Sequence, residues 1–168
     1  DHTVLGSGTM IEPGGEIILE SADDTIFNIR LTVTSIAPLE RVEIIVNGAV
    51  AHTWEAADFV GDSTATAWQL STHIELLGSG WIAARAIGPP SKYVGDAFPF
   101  AQTSPVYVVR DGRTYRSAED ARFLLETVNI LWDRVATRDG FNTDTERRAY
   151  SEAIGQARAV FQHIINGG

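Results

Sequence analysis

The sequence contains no cysteine. That excludes a disulfide framework and a thiolate metal site, while leaving the redox compartment open because many exported proteins also lack disulfides. Positive charge is scarce as well. Thirteen Lys and Arg residues against 22 Asp and Glu give a formal net charge of -9, and the basic residues are thinly spread. There is no electrostatic footprint for a phosphate backbone, so nucleic acid is not an expected partner. Long apolar runs are missing too: none approaches the roughly 20 residues needed to cross a bilayer. The first residues lack the basic and apolar regions of a signal peptide. No membrane partner is expected. Beginning at Asp1 in a polar stretch without an initiator Met, the chain reads as a processed protein or an excised fragment, any targeting signal lying upstream. Cytoplasmic and extracytoplasmic locations both stay open.

What is present suffices for a core. The chain has 168 residues, 44% hydrophobic and 21% charged, too apolar for disorder and long enough for a domain of about 100 residues with an appendage. Residues 16–110 have the texture of strands: β-branched and aromatic residues, period-two alternation, and breaks at Gly, Pro, Asn and Asp. Ile29, Leu31 and Val33 alternate with Asn28, Arg30, Thr32 and Thr34, as in a half-buried strand. Arg41-Val42-Glu43-Ile44-Ile45-Val46 enters Asn47-Gly48 and leaves through Ala49-Val50-Ala51-His52-Thr53-Trp54. Asn-Gly between two apolar runs predicts a type I′ hairpin, because both residues tolerate positive φ. Residues 66–76 and 79–87 alternate again and are expected to pair through Leu77-Gly78. Between Gly88 and Pro105 the prolines argue against a regular strand, and Val106-Tyr107-Val108-Val109 is a last strand ending at Asp111-Gly112. About seven strands with short connections predict an antiparallel β-sandwich, immunoglobulin-like in topology, over residues 1–112.

The pattern then changes. Ser117 with Asp120 forms a capping signal, and Ala121, Leu124, Leu125, Val128, Leu131, Trp132 and Val135 recur at helical spacing. A helix is expected from 117 to about 137, broken at Asp139-Gly140. A second, capped by Thr143 or Asp144, carries Tyr150, Ile154, Ala157, Phe161 and Ile164 and stops at Asn166-Gly167. The fold class is therefore mainly β plus α, with a two-helix antiparallel hairpin over 113–168. Such a hairpin cannot bury both stripes alone. It must dock, on the sandwich (the expected arrangement), on another domain, or on a second copy as a homodimer.

A search for chemistry finds no catalytic, cofactor or metal residues. His2, His52, His73 and His163 fall in separate elements, none four residues from another as a helical zinc pair requires. His52 and His73 could converge across a sheet, but strand histidines are more often surface residues. Gly61-Asp62-Ser63 resembles a hydrolase nucleophile segment, yet it lies in a polar loop without a His and carboxylate to activate it, and a plain loop with local turn hydrogen bonds is the better reading. Gly6-Ser7-Gly8 and Gly78-Ser79-Gly80 open no helix after a strand, so they read as turn glycines rather than phosphate cradles. Asp139, Asn142, Asp144 and Glu146 do not match the EF-hand spacing and suit helix capping. Asp23-Asp24 and Glu119-Asp120 sit at a turn and in a first helical turn. Trp54, Trp68 and Trp81 could stack on sugar rings if exposed, the alternative being that they pack in the core. Arg85 falls on the same face as Trp81, Ala83 and Ile87. A buried guanidinium there would be the centre of a structural ion pair, with partners expected from the loop 88–103.

Four segments carry a family likeness. Val42-Glu43-Ile44-Ile45-Val46-Asn47-Gly48, Ser79-Gly80-Trp81-Ile82-Ala83-Ala84-Arg85, Thr103-Ser104-Pro105-Val106-Tyr107-Val108 and Ser117-Ala118-Glu119-Asp120-Ala121 resemble, in order and separation, the C-terminal region of CehA/McbA-type metallohydrolases. The likeness covers about 13–165. In that family a PHP-type (polymerase and histidinol phosphatase) domain comes first; it holds a metal centre and hydrolyses ester, carbamate or phosphoester-like bonds. The resemblance implies that this chain corresponds to the region C-terminal to that domain: a non-catalytic accessory part whose partner is the PHP-type domain of the same polypeptide. No metal-ligand motif is matched, and Ala101-Gln102-Thr103 stands where relatives carry Ala-His-Thr, so no catalytic residue is carried over. A β-sandwich carbohydrate- or ligand-binding module using surface tryptophans is the alternative.

Overall fold

A computed structural model describes residues 2–6, 9–20, 25–59, 67–138 and 140–167, the side chains of 2–6 and 9 excepted. The chain divides into two compact units, Asp1–Tyr115 and Arg116–Gly168.

Among the described residues, the first unit holds ten strands in two sheets. One sheet has the order β2-β1-β4-β7, from Thr9–Ile11, His2–Gly6, Ile26–Thr34 and Ala67–Glu75. The other runs β3-β10-β8-β5-β6, from Glu16–Leu19, Val106–Arg110, Gly80–Ile87, Arg41–Val46 and Ala49–Glu55, with β9, Phe100–Gln102, added beside β8. One buried cluster draws on both sheets. Phe27, Ile29 and Leu31 of β4 and Leu70 and Ile74 of β7 join Val42 and Ile44 of β5, Ile82 and Ala84 of β8, and Val106 and Val108 of β10. The alternation expected of residues 28–34 sets which side of β4 turns inward: Phe27, Ile29 and Leu31 are buried and the intervening residues exposed.

The Asn47-Gly48 turn joins β5 to β6, with φ of 51° and 90°. Its side chain also reaches a third strand: Asn47 Oδ1 accepts a hydrogen bond from Trp81 N at 2.9 Å, and Asn47 N donates to Trp81 O at 3.1 Å. Gly80 allows that approach, since a Cβ there would lie 2.6 Å from Asn47 Oδ1.

Four sequence expectations are corrected. Strands number more than seven, because β1 and β2 precede residue 16 and β9 forms inside the proline-rich stretch. Pro99 lies just outside β9, whose pairing with β8 runs from Ile87↔Phe100 to Arg85↔Gln102. Residues 66–76 and 79–87 do not pair. β7 pairs with β4 along nine residues, and Leu76 N extends that ladder by donating to Thr25 O at 2.8 Å, while β8 lies in the other sheet beside β5. Leu77-Gly78 is a crossing between sheets, which lets the inward residues of β7 and β8 enter the core from opposite sides. Finally, the strands are not all antiparallel: β3 runs parallel to β10, anchored by Gly14 N to Pro105 O at 2.9 Å and Tyr107 N to Gly15 O at 3.0 Å.

The second unit is two helices, α1 (Ala118–Thr137) and α2 (Asp144–Ile165). Ser117 Oγ accepts from Asp120 N at 3.0 Å and Thr143 Oγ1 from Glu146 N at 3.1 Å, each satisfying an amide that the first helical turn leaves unpaired. Their contacts run in opposite order along the two helices. Trp132 stacks on Tyr150 with ring centres 6.2 Å apart, and Asn129 Oδ1 accepts from Arg158 Nε at 2.8 Å. Ala121, Leu125, Val128, Trp132 and Val135 are buried or half-buried and spaced by four and three as in a two-helix seam, with Ala118, Asn129 and Ala136 half-buried beside them. Only Ala121 and Ile154 are fully buried. No helix among the described residues is long and apolar enough to cross a membrane.

Candidate functional site

Among the described residues, a connected group of charges stands on the face of β5 and β8 away from the shared core. Glu43 interrupts the apolar run of β5 and is 6% exposed, one of two buried charged residues among those described. Residues two apart on a strand share a face, so Arg41 stands beside it. Strand pairing sets Arg85 of β8 directly opposite. Arg41 Nε donates to Glu43 Oε1 at 2.8 Å and Arg85 Nε to Glu43 Oε2 at 2.7 Å. Arg41 Nη1 also reaches Glu40 Oε1 at 2.9 Å. Burial alone would push the Glu43 carboxyl up, but the hydrogen bonds from Arg41 and Arg85, with their charges, outweigh it and hold the group below the usual carboxylate range.

Arg85 belongs to this ion-pair group, but the residue on which both guanidinium groups converge is Glu43. The Arg85 side chain is half-buried rather than enclosed, at 29% exposure. Its partner comes from the neighbouring strand, not from the stretch 88–103, because β-pairing sets the acid Glu43 opposite it on β5, whereas the residue opposite it on β9 is the uncharged Gln102. The fully buried member is Glu43, which the sequence search passed over; a lone acid inside Val-Glu-Ile-Ile-Val was the available signal. With each oxygen bonded to a guanidinium, this carboxylate is a poor base and a poor nucleophile. Its chemistry is structural.

The remaining candidates do not converge. Trp54 is buried in the shared core, with His52 set edge-on at 4.4 Å. Trp68 is half-buried against that core, its ring 5.4 Å from Phe59. Trp81 alternates with the inward-facing Ile82 and is half-buried on the other face. The three rings make no common platform. His52 lies in the six-stranded sheet and His73 in the four-stranded one. Among the described residues no three His, Asp or Glu side chains group as metal ligands. Ser79 Oγ accepts from Arg110 N at 2.9 Å and ties the crossing at 77–79 to β10. Glu146 Oε2 accepts from Asn142 N at 2.9 Å, and with Thr143 this is helix capping. Asp62, Ser63, Ser7, Asp23, Asp24 and Asp139 lie outside the described residues, as does the side chain of His2.

Two apolar surfaces remain. On the helices, Phe123, Leu124, Ile130, Leu131 and Val160 are exposed. Leu124 and Leu131 are seven residues apart, as are Phe123 and Ile130, so they form a stripe beside the seam. In the first unit, a groove of about 350 Å³ is lined by residues of β4, β8 and β9, and a second of similar size adjoins it through Val33, Thr34, Ala86 and Ala101.

No protein-family model and no curated protein matches this chain. Among solved structures, the N-terminal domain of PorA is similar over 67% of this chain and 98% of that one, at 8% sequence identity and a TM-score of 0.24. A likeness at that level carries no argument.

Proposed function

We propose that this chain is a non-catalytic accessory part of a PHP-type metal-dependent hydrolase, docked on the catalytic domain through its helices. The observation that carries the reading is the helical unit's balance of burial. Two helices of 20 and 22 residues enclose only Ala121 and Ile154 while leaving Phe123, Leu124, Ile130, Leu131 and Val160 exposed. A two-helix pair with so small a core needs another surface to complete it. The four segments resembling CehA/McbA-type enzymes indicate which surface that is.

Strand order supports an immunoglobulin-like reading of the first unit. The run β10-β8-β5-β6 matches the G-F-C-C′ order of such sandwiches, and β4 beside β7 matches B beside E. The antiparallel contacts of α1 and α2 likewise support a helical hairpin. In this reading the sheets are the rigid mount, and the hairpin is the docking element.

The test mixes the chain with the PHP-type domain of a CehA/McbA-type enzyme freed of its own C-terminal region. Light scattering is expected to show a one-to-one complex that the double variant Leu124→Ser, Leu131→Ser abolishes while leaving the circular dichroism unchanged. Absence of a complex, equal binding by the variant, or a dimer of this chain alone through the same stripe would overturn the proposal.

A further inference from the structure

Asn47-Gly48 meets two opposed demands at the tip of β5 and β6. Asn-Gly is a favoured two-residue hairpin turn, and it is also the dipeptide most open to cyclisation, because glycine sets no side chain beside its own nitrogen. In that reaction Gly48 N attacks Asn47 Cγ and a C–N bond forms. The Cγ–Nδ2 bond breaks, and the proton of Gly48 N passes through water to the departing nitrogen, which leaves as ammonia. Water then opens the imide ring at either carbonyl. One product is aspartate at position 47; the other is isoaspartate, in which the main chain runs through Cβ and Cγ.

The folded turn opposes ring closure at each point. φ is 51° at Asn47 and 90° at Gly48, which in a two-residue connection is the type I′ turn. In that turn Asn47 Cβ and Gly48 N stand on nearly opposite sides of the Cα–C bond, whereas the ring needs them eclipsed. The side chain is held as well: Asn47 Oδ1 accepts from Trp81 N at 2.9 Å, while Asn47 N donates to Trp81 O at 3.1 Å. A Cβ at Gly80 would lie 2.6 Å from Asn47 Oδ1 and 2.9 Å from its Nδ2, so the amide rests directly against the backbone of β8. β5 is paired with β6 along one edge and with β8 along the other. Turning the Asn47 Cα–C bond therefore requires opening the hairpin.

We infer that Asn47 is a deamidation site that the folded chain holds shut, that it is modified only when the β5–β6 hairpin opens, and that its two products are sorted on closing. Aspartate at position 47 keeps a side-chain oxygen for Trp81 N. Isoaspartate adds a methylene to the main chain within the turn, so β5, which supplies Val42 and Ile44 to the shared core, cannot regain its register. This is a reaction of the chain upon itself and does not rest on the docking proposed for the helices.

The test incubates the full 168-residue chain at mildly alkaline pH, with acetyl-Val-Asn-Gly-Ala-amide as the unfolded reference, and follows conversion at Asn47 by peptide mapping and mass spectrometry. Conversion in the native chain is expected to be at least about a hundredfold slower than in the peptide, and within about twofold of it in urea. Gly80→Ala, which displaces the Asn47 side chain, is expected to speed conversion about tenfold or more while circular dichroism is retained; should that variant not fold, the comparison of native and urea-treated wild type decides alone. When the urea-treated chain is returned to buffer, the compact fraction from size-exclusion chromatography is expected to carry aspartate at position 47 and to be depleted of isoaspartate. A native rate within about tenfold of the peptide, or an unchanged rate in folded Gly80→Ala, would overturn the inference. So would isoaspartate in the compact fraction in the same proportion as in the whole sample.

Discussion

The two units invert one another in how they treat apolar residues. In the first, fifteen of the described residues form one buried cluster drawn from both sheets, although Ile18, Ile26 and Tyr107 face outward on their strands. In the second, the helices have apolar residues on more faces than their seam can cover, and two residues are fully buried. Amphipathic pattern alone therefore does not say whether an element is finished. A sheet face is satisfied by one opposing sheet, whereas a helix with both a seam and an adjacent stripe requires two partners. On the reading proposed above, the sheets are the mount and the helices the docking element.

Substitutions can break or sharpen this contrast. Phe27→Ala, at one of the largest fully buried side chains, is expected to cost about 4 kcal/mol in chemical denaturation of the first unit; a loss below about 1 kcal/mol would mean that the shared core is not what holds the sheets. Gly88→Ala should cost roughly 3 kcal/mol by overpacking, because its Cβ would meet the backbone oxygen of Pro38 at 2.3 Å. Near-wild-type stability would show that the 38–40 segment yields easily.

Glu43→Ala should destabilise by about 2 kcal/mol, as hydrogen bonds to a charged group are lost and two guanidinium groups remain beside one another. Arg85→Ala is expected to cost more than Arg30→Ala, whose side chain is exposed; equal melting temperatures would remove the ion pair from the account. The lowered pKa of Glu43 fixes the sign with pH. Its contribution is fully present above the unfolded carboxylate value, about 4.3, and is lost as pH falls through the folded value below that. Wild type should therefore lose more stability than Glu43→Gln on acidification from about pH 5 to 3. Parallel losses would argue against the shift.

The smallest effect is expected on the helices. Leu131→Ser, at 47% exposure, should change stability by no more than about 0.5 kcal/mol. Hydrogen exchange should meanwhile find the amides of β5 and β8 more protected than those of α1 and α2. Comparable protection of both units would show that the helices are complete without a partner.

How much of this was legible in sequence depended on whether the signal was local. Asn47-Gly48 carries its own backbone requirement, and the turn forms there. Ser117 and Thr143 carry their own caps, and both helices begin there. The face alternation at 27–31 needs only the period of a strand. Pairing partners are a different matter: Leu77-Gly78 has the composition of a hairpin turn, but whether the next strand folds back or crosses to the other sheet is decided by which side of the core it must fill. β9 was missed because the two prolines flanking it signal loop on either side of a three-residue strand. Glu43 was missed for a similar reason. An acid in an apolar strand becomes an ion pair only through register, and register with β8 is a long-range property. The stripe at Leu124 and Leu131 was visible, but its position beside the seam rather than within it was not: Phe161 and Ile164, grouped with it by periodicity, are half-buried.

The central claim is that this chain contributes recognition and no chemistry of its own. The most direct test assays the purified 168-residue chain for hydrolysis of an aryl ester and of an aryl carbamate, with added manganese or zinc. The account predicts no turnover above the uncatalysed rate with either metal. Turnover that requires the metal and disappears with chelator would contradict it.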